Sequence, residues 1–205
     1  MKQYKVGILL FNDVEVLDFA GPYEVFSITN DPENNNKPFI VSTISQTGNI
    51  ITSRGGLKII SDYSFDNAPF FDILIIPGGY GAEQIEIHNN ILIQWIKTQA
   101  EKAEIVASVC TGAFLLAQAG LLDNKKAVTH WMDSDRLENE FKNITVLRNV
   151  KFADESKVIT SAGISSGIDM CLHIVSKLLS QAAAEITAKR MEYNLSNDLI
   201  LNLHK

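Results

Sequence analysis

Cysteine is scarce in this chain: Cys110 and Cys171 are the two in 205 residues. That excludes a disulfide framework and reads as a pair of reduced thiols in a cytoplasmic protein. Five Pro and twelve Gly are too few for a collagen-like or broadly disordered chain. No apolar run approaches the ~18 residues of a membrane span. The first run, Val6 to Phe11, is too short for a signal-peptide core and has no small-residue cleavage site after it. Basic residues are outnumbered, 18 against 24, for a net charge of −6. This argues against a nucleic-acid-coating protein. Histidine occurs four times, without H-E-x-x-H or any metal-ligand spacing, so no metal is expected. No phosphate loop is present, and a dinucleotide fingerprint starting at Gly79 fails because position 84 is Gln84.

What remains is a chain of α/β character. Val6 to Phe11 is a continuous apolar run bounded by turn residues, as in a strand buried on both faces, and Asp72 to Ile76, ended by Pro77-Gly78-Gly79, reads as another buried strand. Glu104 to Val109 is a further strand, and Phe39 to Ser45 is another, rich in β-branched residues. Ile50 to Ser61, with Gly55-Gly56 inside it, reads as a hairpin or two short strands. Ala127 to His130, Ile144 to Leu147, Val150 to Ala153 and Val158 to Ser161 read as short strands.

Helices are expected from Asp18 or Gly21 to Ile28, with Pro22 in the first turn, and over Asn90–Lys102, Thr111–Leu122, Asp133–Phe141, Ser166–Leu179 and Gln181–Glu192. Strands alternating with helices predict a three-layer α/β sandwich around a mostly parallel sheet. No repeat or linker divides residues 1–205, so one domain is expected. In such sheets ligands bind beyond the carboxyl ends of the strands.

Three strand ends carry unusual residues. Ser108-Val109-Cys110-Thr111-Gly112 has the small-x-nucleophile-x-small pattern of a nucleophile elbow between strand and helix. At a helix N-terminus a thiol near ~8.5 is expected to fall by one or more units. The Thr111 N–H would help hold an oxyanion. The alternative is a small buried hydrophobe, the role read for Cys171 in the apolar run Met170-Cys171-Leu172.

Pro77-Gly78-Gly79 places flexible backbone after a strand, where the Gly79 N–H could be a second oxyanion donor or the glycines could simply make a turn. Asp18, between Leu17 and Phe19, is either a carboxyl held protonated by apolar surroundings or a helix N-cap. Those surroundings suit a neutral, apolar substrate. His130 follows a short strand and could pair with Cys110, or be a structural histidine. His88 and His204 are read as exposed, and His173 as a helical residue.

Five segments in order resemble the ThiJ/PfpI superfamily, relatives of the class I glutamine amidotransferases. They are Leu17 to Phe26, Ile76 to Gly79, Val109 to Ala113, Ala127 to Trp131 and Thr160 to Asp169. The resemblance spans Tyr4 to about Tyr193 and implies a flavodoxin-like fold and a nucleophilic Cys110. Two branches share these variants: isonitrile hydratase and the sensor domains of AraC-type regulators. No helix-turn-helix segment is visible before Lys205, which favours the first branch.

Asp18 stands where proteases and deglycases of the superfamily place Glu, and Thr111 where protease-like members place His. Peptidase and deglycase activities are therefore disfavoured. Asn194 to Lys205 lacks the Pro-rich ending expected of the hydratases. The resemblance implies hydration of an isonitrile to an N-substituted formamide, without cofactor, in a homodimer. Cys110 would attack, Asp18 would move the proton, and the Thr111 hydroxyl would orient nucleophile or water. Gly78 and Gly79 would border the oxyanion. The implied partner is a small electrophilic molecule. A ligand- or redox-sensing module and a glyoxalase-like or amidase-like enzyme are the alternatives.

Overall fold

A computed structural model describes residues 2–32 and 36–195. The chain opens with β1 (Tyr4–Leu9), α1 (Val16–Ile28) and β2 (Phe39–Ser45). A hairpin of β3 (Ile50–Thr52) and β4 (Lys58–Ile60) follows, then β5 (Tyr63–Ser64) and β6 (Ile73–Ile76). Next come α2 (Asn90–Lys102), β7 (Ile105–Val109), α3 (Gly112–Gln118), β8 (Lys126–Ala127) and α4 (Ser134–Glu140). The described chain closes with β9 (Thr145–Val146), β10 (Phe152–Glu155), β11 (Val158–Ser161), α5 (Ser166–Leu178) and α6 (Gln181–Arg190).

Seven strands form the central sheet in the order β10-β11-β7-β6-β1-β2-β5. All neighbours pair in parallel except β10 with β11. The central strands are buried on both faces: Ile8, Ile73 to Ile76, Val106 and Ala107 are fully shielded from solvent. This is why their sequences are apolar without alternation. Helices α1, α5 and α6 pack on one another, while α2 and α3 pack together. The architecture is the flavodoxin-like three-layer sandwich, and β6 and β7 lie side by side with their carboxyl ends on one edge.

Several boundaries differ from expectation. Helix α1 begins at Val16, so Pro22 lies inside it rather than in its first turn. There the missing N–H leaves the Asp18 carbonyl without its usual i+4 donor. Helix α3 stops at Gln118, and Gly120 then turns the chain with φ of 72°. The strands expected over Ala127–His130 and Ile144–Leu147 shrink to β8 and β9, a small parallel ladder outside the main sheet. The strand expected at Val150–Ala153 is shifted to Phe152–Glu155. His88 is exposed and His173 lies on α5, as expected; His204 lies outside the described residues.

Candidate active site

The turn from β7 into α3 is tightly packed against the end of β6. Gly112 abuts the Ile76 and Pro77 carbonyls so closely that a Cβ would overlap both. Ser108 is fully buried beneath the turn. The small-residue spacing is thus a steric requirement, and it leaves Cys110 at a φ of +57°. For a residue with a Cβ that conformation costs ~1–2 kcal/mol, so neighbours must hold it. The Cys110 N–H is shared between the Ser161 and Ala162 carbonyls at 3.2 and 3.3 Å.

Asp18 reaches the thiol from α1. It is not an N-cap: Glu15 holds that position, without a side-chain cap bond. Instead Asp18 Oδ2 accepts the Gly78 N–H at 3.0 Å, while Oδ1 is buried without a closed hydrogen bond. The Cys110 thiol is close enough to act on its ionisation. The side chain is fully shielded. Burial pushes its pKa up to about 7, with the Glu15 charge adding to the rise and the Gly78 and Cys110 hydrogen bonds opposing it. This fits a carboxyl held in apolar surroundings.

The thiol itself corrects an expectation. Its pKa is raised, not lowered. Burial is the largest cause and the Asp18 charge the next, against the Thr111 and Ile164 N–H groups that hydrogen-bond the sulfur. A helix terminus stabilises a thiolate modestly, and here desolvation outweighs it. Of the two groups, Asp18 is the one that ionises near neutral pH, and burial keeps the Cys110 thiol protonated there. Cys171, fully buried in α5, is raised by burial alone and is core packing as expected.

The glycines after β6 do not offer the expected oxyanion donors. The Gly78 N–H is bonded to Asp18, and the Gly79 N–H donates to Thr111 Oγ1 at 2.9 Å. The Thr111 hydroxyl in turn donates to the Gly79 carbonyl at 3.3 Å. It therefore clamps the Gly79 peptide rather than pointing at a nucleophile or water. Gly79 has φ of +116° and sits against the backbone of Asp13 to Glu15, so no side chain fits there. The donors aimed at the sulfur are the N–H groups of Thr111 and Ile164. Sequence reasoning gave no role to Ile164, whose φ is +46°. Its signal was positional: it follows Ala162-Gly163 directly after β11.

Above the thiol opens a cavity of about 320 Å³, lined by Glu15, Arg54, Glu83, His130, Asp133 and Ile164 among others. Its wall carries charged side chains, a departure from the expectation of a site suited to an apolar substrate. Arg54 pairs with Glu15 at 3.2 Å, and Arg136 holds Glu83 at 2.9 Å. Burial, then the Asp133 charge, raises the Glu83 pKa. His130 lines the same cavity, but its Nδ1 faces Asp133 Oδ2 at 3.5 Å. Among the described residues no hydrogen bond joins His130 to Cys110. A buried carboxyl beside a thiol that borders a polar cavity can supply a sulfur nucleophile and a proton to one small molecule.

Known proteins share this arrangement of chain. Isonitrile hydratase of Pseudomonas putida is 32% identical over 189 residues, covering 92% of this chain and 78% of that protein. The HTH-type transcriptional regulator GbdR of Pseudomonas aeruginosa is 27% identical over 172 residues. That match covers 84% of this chain and 46% of the regulator, so the chain spans just under half of its length. The crystal structure of a THiJ/PfpI family protein from Pseudomonas syringae superposes with a TM-score of 0.84 at 26% identity. It covers 96% of this chain and 77% of that one. The DJ-1/PfpI family model matches residues 4–177, a span that contains Asp18, Cys110 and Ile164, and the chain belongs to the DJ-1/PfpI family.

Proposed function

We propose that this chain is a cysteine-dependent hydratase of the isonitrile hydratase type. The observation that carries the reading is a cysteine in an elbow at the edge of a small polar cavity, with the buried Asp18 carboxyl, raised to a pKa of about 7, behind it. The 32% identity to isonitrile hydratase supports it. With Asp18 ionised, its carboxylate takes the thiol proton as Cys110 Sγ bonds the terminal carbon of R–N≡C. Asp18 then gives that proton to the same carbon, leaving the thioimidate R–N=CH–S–Cys110.

Water adds across the C=N bond, its oxygen to carbon and a proton to nitrogen. The tetrahedral adduct expels the sulfur, which regains a proton by way of Asp18, and R–NH–CHO leaves. Covalent catalysis here divides one difficult addition into two easier ones. The Thr111 and Ile164 N–H groups hold negative charge on the sulfur whenever it is the leaving or attacking atom. Thr111 and Gly79 keep the loop below the substrate in place, with Gly78 anchoring Asp18. His130 borders the substrate. No cofactor takes part in this scheme.

The family resemblance supports a cytoplasmic homodimer as part of the same proposal. Among the described residues no helix is long and apolar enough to cross a membrane. The test is a panel of alkyl and aryl isonitriles with formamide read by mass spectrometry, run beside methylglyoxal. Turnover of isonitriles that vanishes in a folded Cys110→Ala variant is expected. Turnover unchanged in that variant contradicts the mechanism, and turnover of methylglyoxal alone selects a glyoxalase-like activity.

A second reading has its own support in the match to GbdR. A ligand-sensing module would bind small molecules in the same cavity. It would hold them without releasing product, and the same panel distinguishes the two.

A further inference from the structure

The left-handed conformation of Cys110 must be imposed from both sides of its peptide unit. On one side its N–H is held by carbonyls at the end of β11. On the other side its carbonyl receives the Thr129 hydroxyl at 3.0 Å, with a longer contact of 3.4 Å from the Ala113 N–H. Thr129 is 2% exposed. A hydroxyl so deeply buried needs an acceptor, and the Cys110 carbonyl is the acceptor it has. Thr129 is itself fixed in place. The Val128 N–H before it donates to Thr160 Oγ1 at 2.8 Å. Thr160 stands on β11, in register with Ser108 of β7. One strand therefore braces both ends of Cys110: directly through the Ser161 carbonyl, and through Thr160, Val128 and Thr129.

We propose that Thr129 is a positioning residue for the Cys110 thiol, acting through the Cys110 carbonyl. This rests on the reading of Cys110 as the nucleophile. The link is geometric. The Cys110 Cα is held between its N–H, bonded to the end of β11, and its carbonyl, bonded to Thr129, so releasing one side lets the Cα reorient and carries Cβ and Sγ with it. The sulfur is placed between two N–H groups, of Thr111 and Ile164, and the Asp18 carboxyl. Without the Thr129 donor the carbonyl keeps only the longer Ala113 N–H contact, the peptide relaxes away from its left-handed conformation, and Sγ shifts from those partners. Val at this position keeps the shape and removes the donor; Ser keeps the donor and removes a methyl.

The test compares Thr129→Val and Thr129→Ser with the wild type. Iodoacetamide labelling of Cys110 is followed by mass spectrometry from about pH 5 to 9, with buried Cys171 as the reference for general loosening. For Thr129→Val, a fall in the Cys110 rate of about tenfold or more is expected, with an upward shift of its pH midpoint. Thr129→Ser should stay within about twofold of wild type, because it keeps the donor. Cys171 should remain unlabelled in all three. Wild-type labelling in Thr129→Val overturns the proposal, as does faster labelling of both cysteines together, which marks general loosening. Equal labelling of Cys110 and Cys171 in the wild type removes the nucleophile reading, and the proposal with it.

Discussion

Replacing Asp18 by Asn should make the protein more stable at neutral pH and abolish catalysis. Asp18 is fully shielded, and burial raises its pKa from 3.8 to about 7. Between those values the folded state binds a proton that the unfolded state has released. Stability from this group is therefore complete below about pH 4 and is lost as pH rises through about 7. The rise from 3.8 to about 7 corresponds to ~4 kcal/mol at ~1.36 kcal/mol per pH unit. Asn resembles the protonated acid, and its Oδ1 can keep the Gly78 N–H bond. The variant should thus lack this loss. Equilibrium unfolding in urea at pH 4, 6 and 8 measures it. The variant minus wild-type difference should grow by ~4 kcal/mol from pH 4 to pH 8, while other carboxylates cancel in the subtraction. A difference that stays flat across the range refutes the raised Asp18 pKa and the mechanism built on it.

Two further outcomes follow from the elbow. Gly112→Ala should lower stability by ~3 kcal/mol or more, because its Cβ meets the Ile76 and Pro77 backbone rather than a movable side chain; thermal unfolding reads this directly. Cys110→Gly should be more stable than Cys110→Ala by ~1 kcal/mol, since the position holds φ of +57°. Both should be inactive, and equal stability of the two would show that the turn carries no strain.

The parts of this fold that announce themselves are those whose burial is two-sided or whose sterics are severe. Ile73 to Ile76 and Ile105 to Val109 are legible because a strand covered by helices on both faces needs no polar residue. Helix α2 is legible over its full span from the spacing of Leu92, Trp95, Ile96 and Ala100, and Asn89 caps it by accepting two backbone N–H bonds. The elbow is legible because a side chain at Gly112 would overlap the Ile76 and Pro77 backbone and Ser108 is fully buried. Asp18 was legible as an acid in an apolar stretch, but its two candidate roles differ by three-dimensional placement alone.

What stayed hidden has physical reasons too. The Ile164 N–H is a backbone group, and any residue but proline carries one. Arg54 enters the cavity from a hairpin and Glu83 from the turn after Gly79, so neither lies in a nucleophile motif. The direction of the Cys110 shift depends on whether desolvation exceeds the pull of the helix terminus. A sequence names both forces without ranking them. Two-residue strands such as β8 and β9 are too short for any periodicity to register.

The central claim is that Cys110 is made reactive by Asp18 rather than by a low thiol pKa of its own. The most direct test is the rate of Cys110 alkylation by iodoacetamide against pH, in wild type and in Asp18→Asn. The wild-type rate should rise with a midpoint of about 7, the pH at which the Asp18 carboxyl ionises. In Asp18→Asn that midpoint should disappear and the rate at pH 8 should fall, because the buried thiol then has no base beside it. A wild-type profile that persists unchanged in Asp18→Asn contradicts the account, and so does a Cys110 that stays unreactive across the whole range.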